Sequence, residues 1–230
     1  MNGQKFVEWF FSFSEKVVAY VINVFFVILF ALPLLLVDLT FKEDMIKTPL
    51  IFIPLVTLYL VALKCTIYAG YSVFIKDGYY YKPYFLKSLV DRFLLNYLFN
   101  LVCISLLYVG LNSVYIMTQE ISKLFYLIFF MIILLLVPLI LYTNMQFAIY
   151  EKTSIRDMIN NSIVLTFMYG IISIIIAVAF SYLVYRFQFN PFLVVVVGIP
   201  AISAILVYVH TLIEKNQKNR RSKYEKAKNV

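Results

Sequence analysis

The chain has 230 residues, 63% of them hydrophobic and only 14% charged, with a net charge of +8. Its mean hydropathy is +0.89. A soluble domain carries roughly 45–50% apolar and about 25% charged residues, so a water-soluble domain is excluded and an integral membrane protein is expected. The two cysteines, Cys65 and Cys103, lie in apolar runs. They are expected to pack as small hydrophobes, without a disulfide framework or a clustered metal site.

A spanning helix needs about 20 apolar residues. In chain order the aromatic segment KFVEWFFSFSEK comes first, with Trp9 placed for the headgroup region. Residues 1–16 are therefore read as interfacial. Six spans follow in residues 17–213: Val17–Val37, Thr48–Ile75, Phe93–Met117, Leu124–Tyr150, Ile159–Tyr185 and Pro191–Ile213. Run length and the lack of period-2 alternation argue for helix. Pro33, Pro54, Pro138 and Pro200 fall inside these spans, where lipid tolerates them as kinks. The first span is read as retained, because it is longer than a signal-peptide core and no small-x-small cleavage site follows. Residues 214–230 form a basic cytoplasmic tail suited to anionic lipid, with no nucleic-acid partner expected.

Sorting Lys and Arg by connection puts fifteen on the side of the two termini and four on the other, with Lys64 left inside a span. The positive-inside rule then places both termini in the cytoplasm. The fold class expected is all-α: a polytopic six-transmembrane-helix bundle of a bacterial cytoplasmic membrane.

Lys64 interrupts the second span, in VALKCTIYAGYSVF. Counted from Thr48 it lies roughly 24 Å into the helix at about 1.5 Å per residue. Two readings follow. The stem snorkels to the inner interface, or the charge stays at depth as a working group. Other polar residues share that half. Asn23 is early in span one, Asn96 and Asn100 lie one turn apart in span three, and Asn144 and Gln146 end span four. Asn160 and Asn161 open span five, and His210 is in the last turn of span six, whereas Asn112 and Arg186 fall toward the outer end. A candidate polar cavity comprises Lys64, Asn23, Asn96, Asn100, Gln146 and His210. The competing reading is ordinary interhelical hydrogen bonding.

No Asp or Glu lies in any span, which weakens a proton- or cation-coupled carrier. One histidine excludes HExxH, and neither GxSxG nor a Walker motif is present. No catalytic, metal or cofactor residue is assigned, and no enzymatic activity is expected. In TSIRDMINNS, Ser154 is placed to cap a helix with Asp157 three residues on.

The first span, VINVFFVILFALPLLLV, resembles the opening of the YesL-like family of bacterial membrane proteins. Asn23 and Leu32–Pro33 match its N-x-x-(aromatic)-x-x-x-x-L-P pattern approximately. The stretch IKDGYYYKPYFLKSLVDRFLLNYLF, with Phe85 and Lys87, is similar to the segment after that family's second span. The closing pair NSIVLTFMYGIISIIIAV and FNPFLVVVVGIPAISAILV is similar to its last hairpin. DLTFKEDMIK is longer than the family's usual first connection. The resemblance implies an accessory protein or subunit in solute transport, with carbohydrate as the solute class, and it assigns no site residue. The alternatives are a structural or regulatory membrane protein without transport activity, or the membrane subunit of an ATP-driven transporter. Expected partners are membrane lipid, transporter subunits, and anionic lipid at the basic tail.

Overall fold

A computed structural model describes residues 3–41, 48–76, 82–120, 125–150, 152–187 and 191–228. The aromatic stretch 77–81, the start of the fourth expected span at Leu124, and the side chains of the tail from residue 216 lie outside the described residues.

Among the described residues all regular structure is helical. α1 (Gly3–Phe41) is unbroken, so the aromatic N-terminal segment and the first span are one helix. α2 (Pro49–Phe74) follows, then the short α3 (Tyr84–Val90), α4 (Phe93–Glu120) and α5 (Phe125–Ile149). α6 (Ile155–Met168) and α7 (Gly170–Phe187) are separated by Tyr169. The last helical run comprises α8 (Pro191–Leu193), a π-helical turn (Val194–Gly198) and α9 (Ile199–Lys228).

Five described helices are long and apolar enough to cross a membrane, or six if α6 and α7 count as one bent span. Side-chain placement agrees with a lipid environment. Leu50, Ile171 and Phe167 face outward, while Asn23, Asn96, Asn100, Asn144, Gln146 and His210 are buried. Water would drive the opposite arrangement, and hydrocarbon drives this one, because unsatisfied polar groups there cost several kcal/mol, about as much as in any apolar medium. The chain is a multi-pass membrane protein.

α2 sits at the centre. Every residue from Leu60 to Val73 is buried, as befits a helix apolar on all sides. It packs against α1, α3, α4, α5 and α9.

Three of the four span prolines, Pro33, Pro54 and Pro138, lie inside helices that continue through them. The fourth, Pro200, has the π turn just before it. There the Ile199 amide donates to the Val194 carbonyl, five residues back. Widening the helix just before a proline relieves the clash of its ring with the preceding turn.

The fifth expected span, Ile159–Tyr185, is not one straight helix. It breaks at Tyr169, where α6 and α7 meet at 102°. Tyr169 has φ −112° and ψ 40°, outside helical values, and Gly170 follows it. Ser173 repairs part of the break by donating its hydroxyl to the Thr166 carbonyl at 3.1 Å. Tyr142 from α5 lies 3.2 Å from the same hydroxyl. At the other end of α6 the expected cap is present: the Asp157 amide donates to the Ser154 hydroxyl at 3.2 Å.

α7 approaches the π turn closely at Gly198. A Cβ there would stand 3.1 Å from Leu183 Cδ2 and 3.2 Å from its Cδ1. Gly198→Val is therefore expected to destabilise the purified protein by about 1–3 kcal/mol through overpacking, read as a lower thermal midpoint in detergent. Adding Leu183→Ala in the same chain should recover a good part of that loss.

Candidate functional site

The short helix α3 organises the polar half of the bundle. Seven residues are too few to hold a helix by themselves, and a helix leaves four amides and four carbonyls without internal partners at its ends. Two side chains from different spans supply those partners.

At the start of α3, Asn23 of α1 accepts a hydrogen bond at its Oδ1 from the Phe85 amide at 3.0 Å. Its Nδ2 donates to the Ala19 carbonyl at 2.9 Å and to the Lys82 carbonyl at 3.3 Å. Asn23 thus performs an N-cap's task from a distant helix. Phe85 itself is buried against Phe26 and Phe30, with ring centroids 6.4 Å and 6.1 Å away.

At the end of α3, Lys64 of α2 donates its Nζ to the Ser88 carbonyl at 2.6 Å and to the Asp91 carbonyl. Lys64 is 1% exposed. Its charge therefore does not snorkel to an open surface. It ends on the carbonyls at the C-terminus of a helix, where a cation is also favoured by the helix dipole. A lysine at the centre of a span costs about 2.5–3.5 kcal/mol. Two hydrogen bonds from a charged donor contribute about 1.5–3 kcal/mol each. The two sums are comparable, so the buried cation is sustainable where α3 is docked and costly where it is not. Lys87 adds a third tie, donating to the Tyr68 hydroxyl of α2 at 2.9 Å.

The turn after α3 carries strain. Arg92 has φ +48°, a left-handed conformation that costs a non-glycine residue roughly 1–2 kcal/mol. Its carbonyl accepts from the Asn96 amide at 3.0 Å, and its Nη1 donates to the Thr153 carbonyl between α5 and α6 at 3.0 Å. The turn between α3 and α4 therefore meets Thr153, between α5 and α6, at one end of the bundle.

The remaining candidate residues form separate arrangements. On α4, Asn96 and Asn100 both donate to Asn144 Oδ1 of α5, at 2.9 and 3.0 Å, and Asn144 returns a bond to Asn100 Oδ1 at 2.7 Å. Asn96 Oδ1 has no partner among the described residues. Gln146 of α5 donates to the Ser162 hydroxyl of α6 at 3.1 Å and accepts from Asn161 at 3.4 Å. His210 of α9 lies edge-on between Tyr71 and Tyr150, with centroids 5.3 and 5.8 Å away. Its Nε2 is 3.2 Å from Glu214 Oε1 but lacks the alignment of a hydrogen bond.

The six residues thus share one half of the bundle, and each is 0–2% exposed. Asn23 and Lys64 are brought together through α3, Asn96 and Asn100 through Asn144, and Gln146 and His210 stand apart. None lines the surface groove of about 240 Å³ between α1, α2 and α9. Sequence reasoning missed Ser88 and Asp91, which act through backbone carbonyls that carry no side-chain signal. It also missed Tyr20, whose hydroxyl bonds with Ser203 and donates to the Pro200 carbonyl at 3.3 Å. Both cysteines are free, Cys65 buried and Cys103 partly so. Among the described residues no group of three His, Cys, Asp or Glu could hold a metal ion.

No protein-family model, curated protein or solved structure matches this chain.

Removing the Lys64 ammonium leaves the buried Ser88 carbonyl and the partly buried Asp91 carbonyl without that donor. Lys64→Met is expected to destabilise the protein by about 2–6 kcal/mol, at about 1–3 kcal/mol for each orphaned group, read by denaturant or thermal unfolding in detergent. Asn23→Leu should cost a similar amount, and the double variant less than the sum, because either change frees the same helix. A neutral Lys64→Met would return Lys64 to the snorkelling reading.

Proposed function

We propose that this chain is a six-span protein of a bacterial cytoplasmic membrane that serves as an accessory protein or subunit of a solute-transport system and is not an enzyme. One observation carries the reading. Most of the polar side chains inside the bundle, Asn23, Lys64, Asn100, Asn144 and Gln146 among them, are committed to one another and to backbone groups, so the surfaces left for recognition are chiefly the outer ones. An amide or ammonium already bonded within a low-dielectric interior gains little by exchanging partners with a passing solute.

The six-crossing count is supported by the bent pair α6 and α7, apolar enough together for one broken span, in which α7 with its 18 residues supplies about 27 Å at about 1.5 Å per residue. α6 then lies across the end of the bundle. Its inward stripe is Met158, Ser162 and Thr166, and its outer face carries Ile163, Val164 and Phe167. The Arg92–Thr153 bond supports grouping the basic connections at one end, which the positive-inside rule assigns to the cytoplasm together with both termini. The carbohydrate class rests on the YesL-like resemblance alone.

Two experiments test the reading. A cytoplasm-dependent fluorescent reporter fused after Val230 should be active, and the same reporter inserted within residues 42–47 should not. Gentle detergent purification with mass spectrometry should enrich an ATPase or a solute-binding protein over an unrelated six-span control. A chain that purifies without partners would remove the stable-subunit role.

A further inference from the structure

We infer that the groove between α1, α2 and α9 is a binding site for one anionic phospholipid. The inference rests on the membrane placement of the chain and is independent of any transport role. The groove encloses about 240 Å³ and is lined by Tyr20 of α1, Gly70 and Phe74 of α2, and Ala204, Val207 and Thr211 of α9, among others. Its lining is chiefly apolar. The Tyr20 hydroxyl is turned to Ser203 and the Pro200 carbonyl, so its ring is what forms the wall. Gly70 keeps the floor open, since a Cβ there would stand 3.3 Å from the Tyr20 ring and 3.5 Å from Val207 Cγ2. Clefts for compact drug-sized ligands run about 300–1,000 Å³. This smaller trough, open to hydrocarbon, suits a length of acyl chain.

Each of the three helices that form the trough has a lysine on it or just past its end, about a turn or less from the lining and at the same end. Lys16 precedes Tyr20 by four residues, Lys76 follows Ile75 directly, and Lys215 follows Thr211 by four. α1 returns into α2 through a short connection and so runs the opposite way, which puts Lys16 level with the other two. Lys215 and Lys76 are exposed and Lys16 is half-buried. Lys76 Nζ stands 5.2 Å from the Tyr71 ring centroid, and Glu214, which precedes Lys215, lies beside His210. An apolar trough with cations gathered at one end matches a ligand with an acyl chain and a negative headgroup, the chemistry by which basic pockets between spans select anionic lipid.

The test uses the full-length purified chain and native mass spectrometry with dioleoyl phosphatidylglycerol or dioleoyl phosphatidylcholine. A single phosphatidylglycerol adduct is expected, in clear preference to phosphatidylcholine. The Lys76→Gln/Lys215→Gln double variant should lower phosphatidylglycerol affinity by about 25-fold, at about fivefold per lysine, and leave phosphatidylcholine unchanged. Ala204→Leu, at an exposed position in the trough, should lower occupancy by both lipids. Unchanged circular dichroism and thermal midpoints would show that the variants fold. Equal binding of the two lipids by the native chain would overturn the inference, as would phosphatidylglycerol binding that neither variant alters. So would a native dimer that Ala204→Leu dissociates, since a second copy would then fill the groove.

Discussion

A lysine buried inside a membrane bundle must find oxygen. In this protein the oxygens that meet Lys64 belong to the backbone at the end of α3, and this one requirement fixes several others. α3 must fold back against α2 to bring its carbonyls to Nζ. It must be helical, because only a helix end presents several unpaired carbonyls together. It must also be pinned at its other end, which Asn23 does through the Phe85 amide. The dependence is mutual. Without α3 the cation has no partner in the low-dielectric interior, and without the cation and the asparagine a seven-residue helix has little reason to persist.

The same logic extends through the bundle. Hydrocarbon offers no hydrogen bonds, so each polar side chain inside must be answered by the protein itself. Asn144 answers Asn96 and Asn100, Ser162 answers Gln146, and Ser173 answers the carbonyl freed where α6 turns into α7. At one end, Arg92 accepts an unfavourable φ and spends its guanidinium on the Thr153 carbonyl. That ties the α3–α4 turn to the α5–α6 turn. The interior is thereby stitched span to span, and the apolar outer faces are left exposed.

The parts of this architecture that were readable in the sequence are those set by composition over a long window. α1, α2, α4, α5 and the last helix follow from run length and hydropathy, and Ser154 with Asp157 announced the start of α6. Asn96 and Asn100 could be placed on one face by their spacing. The break at Tyr169 was hidden because the residues on both sides of it are apolar, and a window average does not register one non-helical residue. α3 was hidden for a related reason: YFLKSLV is too short to show a period. The partners of Lys64 were illegible in principle, since a backbone carbonyl carries no residue type. Those partners therefore came into view only with α3 in place.

The central claim is that α3 is a docked structural element held by Asn23 and Lys64. Hydrogen–deuterium exchange of the native chain in lipid nanodiscs, followed at the amides of residues 85–91, tests it most directly. The account predicts slow exchange there, nearer to that of the spans than to that of an unanchored connection. Exchange at the rate of an unstructured peptide would contradict it, and Lys64 would then need another explanation for its place in the membrane.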